Sequence, residues 1–157
     1  MVFMEVRAAQ QSDLLTVLGW VNGEHECLMW AGPNIRYPAT PETAWRDMEA
    51  FDENAYVLVD PASKVVGFGQ VLSRGGNALH LARLIVEPRL RGQGVGRDLC
   101  AALVDIGYAS QPAEYFTLNV YESNRAAVRL YQALGFEIKE RGDSGVLAMV
   151  KTRKEGE

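Results

Sequence analysis

A mixed α/β sheet with helices packed on its faces is the fold that the succession of hydrophobic patterns along these 157 residues predicts. Three observations lead there. Extended apolar runs follow one another between Tyr56 and Val86, separated only by turn residues, which describes an antiparallel meander. Two alternations of strand and helix come after Val86, and alternation requires crossovers. A final pair of extended runs brackets Gly142–Gly145. The expected order is β-α-α-β-β-β-α-β-α-β-β, about seven strands and about four helices in three layers.

The elements follow in order. Phe3–Arg7 alternates apolar and polar residues, the period of a half-buried strand. Ser12-Asp13 offers an N-cap to a helix carrying Leu14, Leu15, Val17 and Leu18. From Gly19 to Pro38 the pattern is irregular: Gly23, Gly32 and Pro33 punctuate Trp20, Trp30 and Tyr37. A stretch of that length is long for a loop, so it is expected to be functional or to hide a short helix. Thr40-Pro41-Glu42 starts a second helix, with Thr at the N-cap and Pro at the first helical position, running to Phe51. Tyr56–Asp60 and Lys64–Ser73 form a hairpin across Pro61-Ala62-Ser63, and Ala78–Val86 follows Gly75-Gly76-Asn77. A helix is expected from about Gly94 to Ala109, then a strand Tyr115–Val120 and a helix Asn124–Leu134. The closing hairpin pairs Phe136–Arg141 with Val146–Lys151, and Lys151–Glu157 reads as a solvated tail.

Composition narrows the function. Residues 1–157 read as one domain, and 48% hydrophobic with 23% charged residues is an ordinary globular mixture. A formal charge of −4 supplies no basic footprint for nucleic acid. Cys27 and Cys100 stand far apart without a Cys/His cluster, so neither a disulfide nor a metal site is expected, and Cys100 is expected to be a buried, inert thiol. No apolar run approaches the roughly 18 residues that span a bilayer. Met1–Arg7 lacks the pattern of a signal peptide, so a cytoplasmic protein without membrane partners is expected.

The most informative segment runs from Leu84 to Arg97. An apolar strand ends at Val86, Pro88 blocks its extension, and Gly92, Gly94 and Gly96 lead directly into a helix. Glycines let a backbone approach a ligand closely, and a helix start presents unpaired N–H groups with a partial positive charge. Together these suit a phosphate or pyrophosphate, with Arg91 and Arg97 adding charge-assisted bonds. The same glycines would also serve a turn that only caps a helix. A P-loop is excluded by the absence of Gly-Lys-[Ser/Thr], and the spacing is not that of a dinucleotide fingerprint.

Arg91-x-x-Gly94-x-Gly96, behind a strand ending Val86-Glu87-Pro88, resembles the acyl-CoA pyrophosphate loop of the GNAT N-acetyltransferase family, [Arg/Gln]-x-x-Gly-x-[Gly/Ala]. A second segment agrees. Asn124-x-x-Ala127-x-x-Leu130-Tyr131-x-x-x-Gly135-Phe136 is similar to that family's other conserved stretch. By periodicity alone Asn124 is a helix N-cap, Gly135 a helix terminator, and Tyr131 a member of the core face with Ala127, Leu130 and Leu134.

The resemblance covers Lys64–Val150 well and implies the rest. The strand before the loop would be splayed from its neighbour, with Leu84, Ile85 and Val86 lining the pantetheine arm and the backbone of Leu84 and Val86 bonding to it. Gly92, Gln93, Gly94, Val95, Gly96 and Arg97, with Arg91, would hold the pyrophosphate, and Asn124 would contact the cofactor arm. Tyr131 would protonate the departing thiolate, since a phenol stays protonated at working pH. A backbone N–H near Val86 would polarise the thioester oxygen.

On this reading residues 56–150 are the acyl-CoA core, 1–55 a variable acceptor-side region and 151–157 a tail. The expected activity is direct acetyl transfer from acetyl-CoA to a primary amine of a small or amino-acid-like acceptor, with no metal. Protein N-terminal or lysine acetylation is the alternative, followed by a non-catalytic acyl-CoA-binding domain. Homodimerisation through an edge strand is a further possibility by analogy. The base is the gap. Some members of the family carry a Glu where this chain has Asn119, which can orient water or substrate but takes no proton. Glu87 is the candidate base; Glu24, His25 and Glu26 lie in the long first-half loop, and His80 reads as structural. Trp30 and Tyr37, with Trp20, are candidate walls of the acceptor pocket, and Glu24 and Glu26 would supply negative charge for a cationic amine.

Overall fold

The structure is a computed structural model that describes residues 4–154. Phe3 of the expected first strand, Met1 and Val2 of the N-terminal segment read for a signal, and residues 155–157 of the expected tail lie outside the described residues.

Seven strands form one sheet in the order β1-β2-β3-β4-β5-β7-β6. They are β1 (Glu5–Ala8), β2 (Ala55–Val59), β3 (Val65–Ser73), β4 (Ala78–Val86), β5 (Tyr115–Tyr121), β6 (Glu137–Arg141) and β7 (Val146–Thr152). The helices are α1 (Leu14–Leu18), α2 (Glu24–Ala31), α3 (Pro41–Asp47), α4 (Val95–Ser110) and α5 (Arg125–Ala133). Among the described residues five α-helices stand where about four were expected, because the aromatic stretch after Gly19 contains α2. Among the described residues no helix is long and apolar enough to cross a membrane.

Two cores sandwich the sheet. On one face Leu14, Val17, Cys27, Ala44 and Met48 of the first three helices and the α3 turn pack on Val57, Phe68 and Ile85. On the other, Leu99, Leu103 and Val104 of α4 meet Leu79, Leu81, Phe116 and Leu118. Both cysteines are free and buried, and burial pushes the Cys100 thiol up to about 12, as suits an inert group.

Local chemistry moves several boundaries. Ser12-Asp13 does not cap α1. Gln11–Asp13 is a 3-10 turn whose Asp13 carboxylate accepts from the Gln10 N–H at 2.8 Å and pairs with Arg7. Helix α3 starts at the Thr40 cap as expected but stops at Asp47, where Glu49 turns to a φ of 52°. The expected tail is ordered further than its composition suggests. Strand β7 extends past the tail's start, so Lys151 pairs with Phe116 of β5, and the Arg153 N–H reaches the Glu114 carbonyl at 2.7 Å.

The feature that positions the site is the parting of β4 from β5. Their parallel pairing is confined to Ala78–Leu81 against Tyr115–Leu118; beyond it β4 keeps only β3 as a neighbour. A bulge accompanies the split. The β3 register passes from Gln70↔Ala82 to Phe68↔Ile85, so Arg83 and Leu84 together face Gly69, and Arg83 takes a φ of 56°. Bulges bend a strand and strengthen its twist. Gly69 permits this one: a Cβ there would stand 2.7 Å from Leu103 Cδ1 and 3.2 Å from Leu84 Cγ.

Candidate active site

The glycine loop sits at the end of β4, where the strands have already diverged. Pro88–Leu90 makes a 3-10 turn, Gly92 and Gly94 take φ values of 78° and 84°, and Gly94 is the N-cap of α4. Among the described residues, none of the six main-chain N–H groups from Gly92 to Arg97 has a hydrogen-bond acceptor; the first helical bond outside the regular ladder is Asp98 N–H to Gly94. A Cβ at Gly92 or Gly94 would meet nothing within 4 Å, so this row of donors opens on free space. Gly96 has an ordinary helical backbone; its use is to admit Leu130 of α5, which would lie 3.4 Å from a Cβ there.

The end of β4 is built for a second, linear contact. The Glu87 N–H donates to the Val66 carbonyl, one step beyond the Gly67↔Val86 pair. In an antiparallel ladder that spacing turns the N–H and C=O of Val86 away from β3 and toward the gap. The carbonyl is engaged by Arg91 Nε at 3.1 Å, while the Val86 N–H remains directed at the cleft.

Across the gap, α5 brings the second conserved-looking stretch to the same place. Asn124 caps the helix, its Oδ1 accepting from the Ala127 N–H at 3.3 Å. Tyr131 packs edge-on against Phe136 with ring centroids 6.0 Å apart, and no hydrogen bond to its hydroxyl is formed by the described residues. Burial pushes the phenol well above its ordinary pKa, so it holds its proton throughout the working range. A cavity of about 390 Å³ joins these pieces: Leu84, Ile85, Val86 and Arg91 line one side, Asn119, Asn124 and Tyr131 the other. A smaller one of about 100 Å³ continues beneath it to Gly96.

The remaining expected residues divide. Trp30 lines the cleft, its indole N–H donating to the Arg83 carbonyl at 2.7 Å, and Trp20 and Glu26 line it as well. Glu24 and Tyr37 line neither cavity, so the structure does not bring them to the site. Glu87 is a correction. It lines neither cavity; its carboxylate is bound by Arg89 at 2.6 Å and Lys64 at 3.3 Å, and the Arg89 guanidinium foremost holds it below the usual carboxylate range. Such a group is a poor base.

Sequence reasoning missed Arg83. Its Nε donates to the last carbonyl of α2, Ala31, at 3.2 Å, and Nη1 donates to Gln70 Oε1 at 2.7 Å. Gln70 is itself fully buried and fixed by donating to the Met48 carbonyl at 3.2 Å. The available signal was a lone cation in the apolar run Leu81-Ala82-Arg83-Leu84-Ile85, opposite a lone amide in β3. The largest of the cavities, about 1020 Å³, touches neither the glycine loop nor Tyr131.

Comparison with known proteins bears on this arrangement. The family model described as acetyltransferase (GNAT) family matches residues 20–136. A peptidyl-lysine N-acetyltransferase, YiaC, of Escherichia coli K12 is 28% identical over 140 residues, covering 85% of this chain and 83% of that protein. A mycothiol acetyltransferase of Salinispora tropica is 36% identical over 106 residues, 64% of this chain but only 34% of that longer protein. The spermidine N-acetyltransferase of Vibrio cholerae, solved in complex with CoA and spermine, has the same fold, with a TM-score of 0.77 at 18% identity over 95% of each chain.

Proposed function

Because this chain belongs to the GNAT family of acetyltransferases, we propose that it acetylates a primary amine of a small or amino-acid-like acceptor, using acetyl-CoA as donor. The observation that carries the reading is the row of donors from Gly92 to Arg97, opening on free space at the mouth of the β4–β5 gap. An anion fits there: main-chain N–H groups at a helix start bind phosphate through geometry and the helix dipole together. Gly92 to Arg97 would hold the diphosphate, with Arg91 and Arg97 adding charge, and Leu84, Ile85, Val86 and Asn124 would hold the arm that runs into the cleft. Acetyl-CoA supplies the acetyl group as an activated thioester.

The protein's own groups do the rest. The Val86 N–H, turned into the gap, is the donor for the carbonyl oxygen. Tyr131 keeps a proton for the sulfur leaving group. Among the described residues Glu26 is the one carboxylate lining the cleft, and it takes the proton that the ammonium of the acceptor must lose, directly or through a water oriented by Asn119.

The likeness to a peptidyl-lysine acetyltransferase favours a second reading, a lysine side chain on a protein. One experiment separates the two. CoA binding is measured by calorimetry, and thiol release from acetyl-CoA is followed with small amines, amino acids, polyamines and a lysine-containing peptide. The proposal expects CoA to bind and a small amine to be consumed. Release with the peptide alone would install the second reading; absence of CoA binding would remove both.

A further inference from the structure

A second cavity, of about 320 Å³, lies beside the cleft on the far side from the glycine loop. Trp30, Arg83 and Asn119 line both, so the two spaces adjoin. Its floor is the face of β4 and β5 that no helix of the second core covers, and its wall is the turn following α2. The polar side chains around it are Asn34, Arg74, His80, Arg83, Asn119 and Tyr121, and among the described residues no aspartate or glutamate lines it.

A half-buried guanidinium with no carboxylate on the space that it faces is costly, and a ligand carboxylate entering that space would supply the missing charge. Arg83 is such a group. It is half-buried and held by the Ala31 carbonyl and the amide of Gln70, neutral partners both, and it forms no ion pair among the described residues. Its Nη2 is engaged by no described residue. Glu49 acts on it through its field, and the large cavity that Glu49 lines with Asp47, Asp52 and Glu53 is also lined by Arg83 and Arg74 on their other side, without an ion pair to either among the described residues. Arg74, at the end of β3, is exposed and likewise without an ion pair among the described residues. The two positive charges act on each other and on His80, which burial first and these arginines next push down to about 4.

We propose that the acceptor is an amine of amino-acid size that carries a carboxylate, gripped by Arg83 and Arg74 in this cavity, with its nitrogen directed past Trp30 and Asn119 into the acetyl-transfer cleft. This rests on the acetyltransferase reading above and names its substrate class. A guanidinium fork matches a carboxylate in plane and spacing, and here one fork is immobilised before any ligand arrives. The charge pattern suits a zwitterion. Its ammonium meets Glu26 on the cleft side and its carboxylate meets the arginines beyond, whereas a polyamine would bring a second cation against two that are already there. Of the two carboxylates expected from the sequence to meet a cationic amine, Glu26 lines the cleft and keeps that part in the proposal, while Glu24 lines neither space.

The test pairs each of a panel of amino acids with its own carboxamide, with spermidine alongside. Turnover is read by thiol release from acetyl-CoA, binding by calorimetry on the protein already saturated with CoA. At least one amino acid is expected to be acetylated with kcat/KM about tenfold or more above its carboxamide, the loss of one charge-assisted bond or more. Arg74→Gln, on an exposed side chain and so safe for folding, should cut kcat/KM for that acid mainly through KM while CoA affinity stays as it was. Arg83→Gln should do so more severely. Carboxamides or spermidine used as well as the acids, an Arg74→Gln protein with unchanged KM, or no acid bound or acetylated while CoA binds normally would each overturn the carboxylate site. Failure of the native protein to bind CoA would instead overturn the reading on which it rests.

Discussion

Arg91 reaches back five residues to place its Nε 3.1 Å from the main-chain carbonyl of Val86, tying the glycine loop to the strand that it leaves. The contact sets the loop and the cleft in one rigid unit: the strand end that would bind the donor's arm and the donors that would bind its phosphates share a side chain. Arg91 therefore acts twice, as a positioning group and as a charge. Replacing it with lysine keeps the charge and loses the planar fork. Arg91→Lys is expected to weaken CoA binding by about tenfold, the value of one charge-assisted hydrogen bond. Calorimetry decides it, and an unchanged affinity would mean that the tie to Val86 contributes nothing.

Gly94 gives the sharper perturbation of the same loop. At a φ of 84° an L-residue is strained by about 1 kcal/mol, and its Cβ would project into the space on which the N–H row opens. Gly94→Asp adds a negative charge there. CoA binding should be lost, with the fold kept as judged by circular dichroism; a Gly94→Asp protein that binds CoA normally refutes the loop assignment.

These two positions were legible in the sequence because their chemistry is local. Alternate glycines, a proline that stops the strand and a capping asparagine each act within a few residues, so Gly94 and Asn124 stand where their spacing implied. Helix α2 was not legible in the same way. Its apolar residues Cys27 to Ala31 come in one run instead of a 3.6-residue stripe, because Cys27 and Ala31 enter the core while Met29 and Trp30 face the cleft. Glu87 misled for a related reason. Its partner Lys64 is 23 residues away, at the other foot of the β3–β4 hairpin, and only the folded sheet brings them together. Arg83 depends on a bulge, and a bulge is set by what the neighbouring strand offers, here Gly69.

The carboxylates of Glu26 on α2 and Glu87 after β4 should behave oppositely. Glu26 lines the cleft, so Glu26→Gln should lower turnover at neutral pH by about 10²-fold, the low end for a general base, with part of the loss recovered at higher pH as the amine deprotonates by itself. Glu87→Gln should leave turnover as it is and cost stability about 1 kcal/mol through its pairs with exposed Arg89 and Lys64. Rate profiles against pH, together with denaturant midpoints, check both. A kinetic defect in Glu87→Gln would reinstate it as the base.

Tyr131 is placed to give its proton and to do little else. Its ring is anchored on Phe136, its hydroxyl is bound by no described residue, and burial keeps it neutral. Tyr131→Phe retains the ring and removes the proton. Turnover should fall by about 10²-fold with acetyl-CoA affinity spared. An unchanged rate on a good acceptor would return Tyr131 to a purely packing role.

His80 should govern stability in mild acid. It is buried between β4 and β5 with Nδ1 2.6 Å from Thr117 Oγ1, and burial, then the charges of Arg74 and Arg83, hold its folded pKa at about 4 against 6.5 unfolded. Between these values the unfolded chain carries a proton that the folded one refuses, so stability rises with pH across that window and is lost as pH falls through it. The contribution is complete above pH 6.5, and the difference amounts to about 3 kcal/mol at most. Carboxylates such as Asp13, held low chiefly by its bond to Arg7 against the opposing effect of burial, add their own losses only nearer to pH 4. Denaturant midpoints measured from pH 7 to pH 4 should therefore decline from about 6.5 downward in the native protein and stay flatter until the carboxylates titrate in His80→Gln, whose amide can still meet Thr117. Equal slopes in the two proteins would mean that His80 is protonated in the folded state, and that the two arginines beside it are already neutralised by something else.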